Sequence, residues 1–547
     1  FIFIVEDQWR LYGLELSVTG SQIQTPAADL VTIKQNLSYD QTADCWVIRS
    51  QTIGFKYGFL GFNGDGSFVA NYSNYELNTN FGSNVFTNEV LAFELEANKK
   101  DSTYWNRLRP VPLTSEELVD YIRKDSLQTL KKSKTYRDSV DTKNNRFKFG
   151  NLISGYTYEN SFEDKQFSIN SPLTGLNFNT VQGFNSNVDI DYTKRYDEYK
   201  KYVSFQSRIN YSYDTQKLRG TLGFRYKFNN IDDLTIGFNA GTKVEQFNAQ
   251  EPISNLINDI SSLFFENNYI KLFEKRFISF QYGQELFNGF RIRTSASFEN
   301  RRALFNTANY TTLNRDNKIY TSNNPLAPDN FETAPFENHN IIKLKLDGTI
   351  RFGQKFLSYP GSKFNITNPK YPKLNFSFEK GLGATITDYN FDHLSIKLTQ
   401  NVSLENKGNF SYNILGGTFF GNSELAFMDS KHLNGNQTHV NLEDNYLSSF
   451  KNLGYYDLSS SENYFEYHLE HDFSGYILGK IPLLNKLNYN LIVGLHGFST
   501  KNQKPYQEYS IGVNNIGWGK YRFLRIDYVR SYQSGFINDG VLFGISL

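Results

Sequence analysis

The chain has 547 residues, a formal net charge of +1 and a mean hydropathy of −0.52. A charge so close to neutral excludes the strong positive field typical of nucleic-acid binding, and no run of about 18 apolar residues predicts a transmembrane helix. Aromatic residues make up 16% of the chain, which excludes general disorder, and the single cysteine, Cys45, excludes an internal disulfide framework.

Residues 1–98 are predicted to form a β-rich domain. Four segments separated by turn signals predict its strands: "LYGLELSVTG", "LVTIKQNLSYD", "CWVIRSQTIGFKYGF" and "SFVANYSNYEL". The stretch "GFNGDGSF" (61–68) has the glycine content of a phosphate-binding loop, but no Lys-Ser/Thr pair or helix follows. We therefore interpret 63–66 as a hairpin turn. Cys45, next to Trp46, is interpreted as a packed residue rather than a nucleophile.

Residues 99–145 change to a charged composition that is typical of helix. The segment "PLTSEELVDYIRKDSLQTLKKSKTYRD" places Thr114 three residues before Glu117, which is the spacing of a capping box. We predict a short helix and linker here, leading into a third region at 146–547.

The third region alternates apolar and polar residues over roughly 400 positions, which is the period of a β-strand with one apolar and one polar face. In "YVSFQSRINYSY", for example, Phe205 and Ile209 share one face and Ser204 and Arg208 share the other. Such segments predict sixteen strands, at 146–158, 183–196, 201–213, 218–228, 233–247, 275–287, 290–305, 340–356, 373–384, 391–404, 409–420, 462–474, 486–499, 507–515, 521–533 and 540–547.

This pattern fits either a water-soluble sandwich or an outer-membrane barrel, and three features favour the barrel. The strands are long, the polar faces carry many charges, and the apolar faces are rich in Phe and Tyr near the strand ends. We therefore predict an all-β fold, a 16-stranded antiparallel transmembrane β-barrel preceded by a periplasmic β-rich domain and a short helix. An even strand number is usual for single-chain bacterial barrels.

Connection lengths support the barrel and indicate its orientation, because outer-membrane barrels have long outer loops and short periplasmic turns. If the first strand rises from the periplasm, the long connections 159–182, 248–274, 306–339 and 421–461 lie on the outer side of the membrane. The turns 288–289 and 405–408 lie on the periplasmic side. The exception is 357–372, a connection of medium length on the periplasmic side. The residues expected to face lipid include Phe205, Phe290, Ile292, Ile396, Leu398, Leu524 and the apolar residues of the last strand, which ends at Leu547.

The segment "EYHLEHDF" predicts an acidic cluster on the lumen face, formed by Glu466, His468, Glu470 and Asp472. Glu and His at alternate positions could hold a metal, but the groups lie roughly 6.5–7 Å apart per step, so other strands would have to supply ligands. We predict no metal, no cofactor and no catalytic residue. Ser/His or Asp/His groups at the rim would be needed for hydrolysis, and no motif marks them.

A basic stripe is predicted on the facing wall of the lumen. Its members are Arg208, Arg219, Arg225, Lys227, Arg291, Arg293, Lys343, Lys345 and Arg351. Since a row of carboxylates repels itself, we expect at least one of Glu466, Glu470 and Asp472 to contact a cation from a non-adjacent strand or from loop 421–461 folded inward. Arg219, Arg225 and Lys227 are the expected partners by strand count.

Two segments carry a family resemblance: "ANKKDSTYWNRLRPVPLTSEELVDYIRKDS" (97–126) and "YFEYHLEHDFSGYILGKIPLLNKLNYN" (464–490). They resemble a Bacteroidota outer-membrane β-barrel family of unassigned function. That resemblance implies a carboxypeptidase-regulatory-like domain before the barrel, which is expected to be missing here. A weaker likeness is to the outer-membrane insertase and translocase superfamily, whose Val-Arg-Gly-Phe/Tyr loop motif is replaced by "SFKNLGYY" (449–456).

Three functions stay open. The first is a non-enzymatic component of an envelope protein assembly or export complex in the cell outer membrane, with its N-terminal domain in the periplasm. Its expected partners are outer-membrane lipid, lipopolysaccharide and other outer-membrane or periplasmic proteins, and not nucleic acid. The second is a solute channel with a charged lumen, and the third is a barrel-embedded enzyme.

Overall fold

The structure is a computed structural model of the whole chain. It describes residues 1–547 apart from 8, 24, 26–27, 42–43, 60–61, 78, 83–84, 98, 110–111, 197–200, 314–317, 422–423, 444, 520 and 547. The chain divides into two compact units. The first contains Phe1–Thr87, Glu96–Thr114 and Asn515–Leu524, and the second contains Asn88–Leu95, Ser115–Asn514 and Arg525–Leu547.

The first unit holds one helix and a five-stranded antiparallel sheet in the order β1 to β5. The elements are β1 (Ile2–Ile4), β2 (Leu11–Thr19), β3 (Ala28–Asp40), β4 (Cys45–Phe59), β5 (Phe62–Asn71) and α1 (Ser102–Leu108). The hairpin turn predicted at Asn63–Gly66 is wrong, because these residues lie within β5 and pair with β4. Gly64 and Gly66 permit this pairing, since a Cβ there would lie 2.5 and 2.7 Å from the rings of Tyr57 and Phe55. β4 ends at Phe59 and β5 begins at Phe62, and residues 60–61 lie outside the described residues.

The second unit begins with a short strand and three helices. These are β6 (Glu89–Ala92), α2 (Ser115–Lys132), α3 (Lys134–Asn144) and α4 (Asn151–Ser154), with a further helix, α5 (Asn255–Phe265), later in the chain. Ser133 caps α3 by accepting from the Tyr136 amide. None of the helices within the described residues is both long and apolar enough to span a bilayer.

Most of the second unit is one large sheet. Its strands are β7 (Tyr156–Asn160), β8 (Lys165–Ile169), β9 (Leu176–Asn179), β10 (Gly183–Arg195), β11 (Tyr202–Ser212), β12 (Lys217–Lys227), β13 (Thr235–Gln246), β14 (Leu272–Phe287), β15 (Phe290–Ala303), β16 (His339–Arg351), β19 (Lys373–Leu382), β20 (Phe391–Ser403), β21 (Asn409–Phe420), β23 (Val440–Asn441), β25 (Tyr464–Asp472), β26 (Asn490–Thr500), β27 (Tyr506–Trp518), β28 (Tyr521–Gln533) and β29 (Phe536–Ile545). Two small sheets stand apart from it, β6 with β17 (Lys355–Tyr359) and β18 (Ser362–Ile366), and β22 (Lys431–His432) with β24 (Ser459–Ser460).

Successive strands of the large sheet pair antiparallel from β10 to β16, then through β19, β20 and β21 to β25 and on towards β29. β10 also pairs with β8 and β9. Within the described residues, the one parallel contact of this sheet joins β23 to β29. Short 3-10 turns occur at Thr387–Tyr389, Glu405–Lys407, Phe427–Asp429, Leu478–Lys480 and Leu484–Leu487.

All sixteen predicted strands overlap strands of this sheet within the described residues, but the first one, 146–158, does so only at 156–158. Its centre forms α4, and only Tyr156 onward is extended. The Asn151 side chain accepts from the Lys148 amide and donates to the Gly155 carbonyl, which closes a helical turn. The count of sixteen is therefore not reproduced strand for strand, and Leu547 lies outside the described residues.

The long connections gather at one end of the large sheet. The segments 247–271, 304–338 and 421–463 all join strands at this end, which we call the long-loop end; the opposite end is the short-turn end. The predicted outer loop 159–182 is corrected in part, because the β7–β8 hairpin places its turn at the short-turn end, beside Lys194 of β10. The predicted exception, 357–372, contains the hairpin of β17 and β18.

Burial along the strands is the reverse of that in a soluble protein. In β28, Arg525 and Asp527 are buried while Ile526 and Tyr528 are exposed. The expected lipid-facing residues follow the same rule: none of Phe205, Phe290, Ile292, Ile396, Leu398 and Leu524 is buried. The sheet thus has an exposed apolar face and a largely covered polar face, which we call the inner wall.

Candidate functional site: charged anchors on the inner wall

The inner wall is covered by residues 424–458, which we call the inner segment. This stretch of the connection between β21 and β25 is rich in aromatic and amide side chains. Its residues buried in the second unit include Ala426, Phe427, Met428, Leu433, Tyr446, Phe450, Lys451 and Leu453. A polar wall can be covered in this way only if the covering segment satisfies the charges on it.

Lys451 makes the deepest of these charged contacts and is 1% exposed. Its Nζ lies 2.6 Å from Glu470 Oε1 and 3.6 Å from Asp527 Oδ1, and it donates to Ser510 Oγ at 3.1 Å. Arg525 donates to both carboxylates, at 2.8 and 3.2 Å to Glu470 and at 2.8 and 3.0 Å to Asp527. Two cations and two carboxylates therefore form one hydrogen-bonded group, the Lys451 anchor.

The backbone of the inner segment is held beside this anchor. Glu508 is fully buried and accepts from the amides of Lys451 and Asn452, at 2.6 and 2.9 Å. The Asn452 side chain donates to Ser531 Oγ at 3.0 Å and to Asn538 Oδ1 at 2.7 Å. Main chain and side chains are thus fixed by three different strands, β27, β28 and β29.

A second anchor lies at Asp429. Its carboxylate binds the Arg301 guanidinium through both oxygens, one of the contacts at 3.1 Å, and lies 3.0 Å from Lys343 Nζ. Glu299 and Glu379 neutralise the same two cations from the wall. Burial opposes ionisation of Asp429, but the field of Arg301 and Lys343 outweighs it and holds the pKa of that carboxyl well below its usual range.

A third anchor lies at Lys431, whose Nζ is 2.7 Å from Glu466 Oε2. Glu466 Oε1 in turn lies 2.9 Å from His468 Nε2, and His468 Nδ1 lies 2.8 Å from His496 Nδ1. The inner segment therefore supplies one carboxylate and two ammonium groups, and each meets opposite charge on the wall.

The structure separates the residues of the predicted acidic cluster. Glu466, His468 and Glu470 are buried on the inner wall, as their alternation predicts, but Glu466 and Glu470 belong to different anchors. Asp472 lies beyond both, accepting from the Ser474 amide and from Asn514. The expected contact with an in-folded loop is present twice, through Lys431 and Lys451.

The expected facing partners Arg219, Arg225 and Lys227 are wrong. Arg219 pairs with Glu274 at 2.8 Å and Lys227 with Asp233 at 2.5 Å. The reason is that carboxylates on nearby strands and turns neutralise Arg219 and Lys227, while the inner segment supplies the cations that Glu466 and Glu470 bind.

The remaining members of the basic stripe divide into paired and unpaired groups. Arg208 pairs with Asp189, Arg291 with Asp233, Lys343 with Asp429 and Glu379, and Lys345 lies 3.8 Å from both Asp347 and Glu379. Among the described residues, Arg225, Arg293 and Arg351 make no ion pair within 4 Å. The stripe is therefore a set of separate local contacts.

Sequence reasoning missed the inner segment's own charges, and it missed two wall residues that complete the Lys451 anchor: Arg525, which shares its carboxylates, and Glu508, which accepts from its backbone. Arg525 and Asp527 alternate within "RIDYVRS", which is a detectable signal for a charged inner face. Lys451 carries no comparable signal, because its partners lie in strands that the loop sequence does not specify.

Metal binding and proton transfer are the two chemical alternatives for this site. No group of three His, Cys, Asp or Glu side chains among the described residues is placed to hold a metal ion. His432 Nδ1 lies 2.8 Å from Ser459 Oγ, and its Nε2 donates to the Phe427 carbonyl at 2.8 Å. Burial lowers the pKa of His432 to about 4, so this ring is a neutral structural bridge rather than an effective base.

Comparisons with solved structures give low similarity. BamA from Haemophilus ducreyi lacking POTRA domains 1-3 is 10% identical, with 94% of this chain and 88% of that chain covered and a TM-score of 0.38. CdiB from Acinetobacter baumannii is 9% identical, with coverage of 66% and 56% and a TM-score of 0.32. A mutant porin from Rh. blastica is 10% identical, with coverage of 68% and 94% and a TM-score of 0.24.

No curated protein matches the chain. Two family models do. Residues 1–75 match the family of unknown function DUF5686, and residues 150–513 match the C-terminal domain of the same family. The second match spans the helix α4, most of the large sheet and the inner segment, which is more than half of the chain, so the chain belongs to the DUF5686 family of unknown function.

Proposed function

We propose that this protein is an outer-membrane β-barrel and a non-enzymatic component of an envelope protein assembly or export complex. The observation that carries the proposal is the inverted burial of the large sheet, with apolar side chains exposed and charged ones buried. Water would penalise such a surface, whereas the hydrocarbon of a bilayer favours it and tolerates no open sheet edge. The membrane, with its lipid and lipopolysaccharide, is the first partner.

Strand order supports closure of the sheet into a barrel. Successive antiparallel pairing runs from β10 to β29, and β7 neighbours β29 in the order that leads back through β8 to β10. Closure removes the edge that lipid could not satisfy.

The inner segment supports a role other than free diffusion of solutes. Three charged anchors hold it against the wall, so opening the lumen along this side would expose several buried charges at once. Binding of other proteins is then more naturally done by surfaces outside the lumen, and the first unit has one such surface.

That surface is the β5 edge of the five-stranded sheet, which we place in the periplasm. Within the described residues of this sheet, β5 pairs with β4 alone, and it exposes Phe68 and Val69. An edge strand presents unpaired backbone groups that can add a strand from another chain. An extended segment of an envelope protein in transit fits this edge.

The test is photo-crosslinking in cells with a photoreactive residue at Val69. Lys34 is the matched control. It is exposed, but its strand, β3, is central and already pairs with β2 on one side and β4 on the other. We expect crosslinks to outer-membrane or periplasmic proteins from Val69 and few from Lys34. Equal yields at both positions, or none at Val69, would contradict the role in assembly or export.

A solute channel is the second candidate, and one observation favours it. A polar cavity of about 720 Å³ lies beside the inner wall, lined by residues that include Asp189, Arg208, Asn239 and Glu251. Planar-bilayer recording separates the two functions. A steady conductance in the wild type favours the channel, whereas a silent wild type and a conducting Lys451→Met variant favour a lumen held closed by the inner segment.

A further inference from the structure

A second cavity, of about 430 Å³, lies on the inner wall across β15, β16, β19 and β20, and we call it the basic cavity. Its lining contains five cationic side chains, Arg291, Arg293, Arg351, Lys373 and Lys397, and a single carboxylate, Asp347. No residue of the inner segment is part of this lining. The cavity therefore differs from the anchors, where the inner segment supplies the opposite charge.

Strand register brings these cations together. Arg351 lies directly opposite Lys373, and Arg291 is in line with Thr349, Asn375 and Lys397 across the four strands. Like charges placed opposite one another destabilise a sheet. A folded chain that keeps Arg351 against Lys373 is relieved most simply by an anion between them.

The cations of the basic cavity also lack the partners that wall cations have elsewhere. Arg219, Arg301 and Arg525 each pair with a carboxylate at 2.8 Å or closer. Within the described residues, Arg291 is the one cation of the cavity with a carboxylate within 4 Å, and that partner is Asp233. Among the residues that the structure describes, Arg293, Arg351, Lys373 and Lys397 surround one space with no carboxylate within 4 Å, and the one carboxylate of the lining, Asp347, lies opposite Arg293 in the strand register.

We propose that the basic cavity binds a phosphate-bearing ligand. Arginine forks match the tetrahedral oxygens of phosphate, and several cations favour a group with two or more charges over a lone carboxylate. Ser377 and Ser395 add hydroxyl donors to the lining. The same chemistry is offered by a free phosphate or pyrophosphate and by the phosphate of a lipid headgroup.

The experiment is calorimetric titration of the detergent-solubilised full-length protein with inorganic pyrophosphate and, separately, with short-chain phosphatidic acid. We expect at least one to bind, with affinity falling as salt rises. A double variant, Arg293→Gln with Arg351→Gln, should weaken binding by at least about tenfold. Arg225→Gln is the matched control, because it removes an unpaired arginine outside the cavity and should leave binding unchanged.

A second measurement uses only the wild type, in case the double variant fails to fold. Phenylglyoxal modification followed by mass spectrometry should show Arg293 and Arg351 protected by the ligand, and Arg225 not protected. Binding of pyrophosphate alone identifies a free phosphate, and binding of phosphatidic acid alone identifies a headgroup. Binding of neither, equal loss in the control, or no protection would overturn the proposal, whatever the outcome of the crosslinking test.

Discussion

At Lys451 an ammonium group is removed almost wholly from water, and the cost of that burial must be offset locally. Glu470, Asp527 and Arg525 form the compensating group, and Glu508 accepts from the adjacent backbone. A buried ion pair adds little net stability by itself, but removing one member leaves the others uncompensated. The anchors therefore fix where the inner segment lies more than they raise the overall stability.

Lys451→Met tests this reasoning at a single residue. The change should lower the free energy of unfolding by about 3–5 kcal/mol, because Glu470 and Asp527 then share one cation in a buried site. Urea unfolding followed by far-ultraviolet circular dichroism, which is dominated by the strands of the large sheet, measures the loss. Lys345→Met, a half-exposed wall lysine with contacts no closer than 3.8 Å, should change it by about 1 kcal/mol at most. Equal effects of the two variants would show that Lys451 is not an anchor.

His432 predicts how the inner segment responds to acid. Burial lowers its folded-state pKa from 6.5 to about 4, so its contribution is complete above the unfolded value and is lost as the pH falls through the folded one. Protonation also removes the acceptor for the Ser459 hydroxyl. The loss should total roughly 3 kcal/mol.

Hydrogen exchange of residues 424–458, followed from neutral pH down to about pH 4, measures this effect after correction for the intrinsic rate. We expect the wild type to lose protection across this window and His432→Gln to show a flatter profile. Identical profiles for the two proteins would place the acid sensitivity elsewhere.

At the scale of elements, period-two alternation was enough to predict fifteen strands of the large sheet. It failed at 146–158, where "NLIS" forms a helical turn between Gly150 and Gly155. Alternation records which face is apolar and carries no information on a glycine whose φ is +80°. The same limit explains why α5 was not predicted, because it lies in the connection between β13 and β14, where apolar and polar residues do not alternate.

Gly155→Ala tests this explanation. A Cβ at this position would lie 2.7 Å from the Ile169 carbonyl oxygen, and the φ of +80° disfavours any L side chain. We expect a loss of about 1–3 kcal/mol and faster hydrogen exchange in β7 and β8. Gly150→Ala is the control, since its φ is −59° and no atom lies within 4 Å of the added group. A neutral Gly155→Ala would show that this backbone geometry does not hold the hairpin.

Only the strand residues of the candidate site could be predicted from the sequence, and the residues of the inner segment could not. Alternation placed Glu466 and Glu470 on the polar face, but the choice of partner depended on how a long loop folds inward. That folding is set by contacts with β27, β28 and β29, which no local pattern encodes. Charge balance predicted that cations must come either from another strand or from the in-folded loop, and the loop supplies them, whereas the named candidates on the opposite wall were wrong.

At the scale of the whole molecule, the two faces of the large sheet differ in polarity as the faces of a membrane barrel do. The outward side chains are apolar, and most charged inward ones are neutralised by the inner segment or by their neighbours, apart from Arg225 and the cations of the basic cavity. Both features follow if lipid surrounds the sheet and the lumen is confined. The family assignment is compatible with this account and leaves the activity open.

Spin-label accessibility in reconstituted vesicles tests the membrane-spanning barrel most directly. In a Cys45→Ser background, single labels replace Phe205 and Ile396 on the apolar face and their neighbours Gln206 and Ser395 on the polar face. The account predicts that labels at Phe205 and Ile396 meet oxygen dissolved in lipid and exclude a polar nickel chelate, while the neighbouring labels do not show this lipid signature. Free access of the nickel chelate to Phe205 and Ile396 would contradict a barrel that spans the membrane.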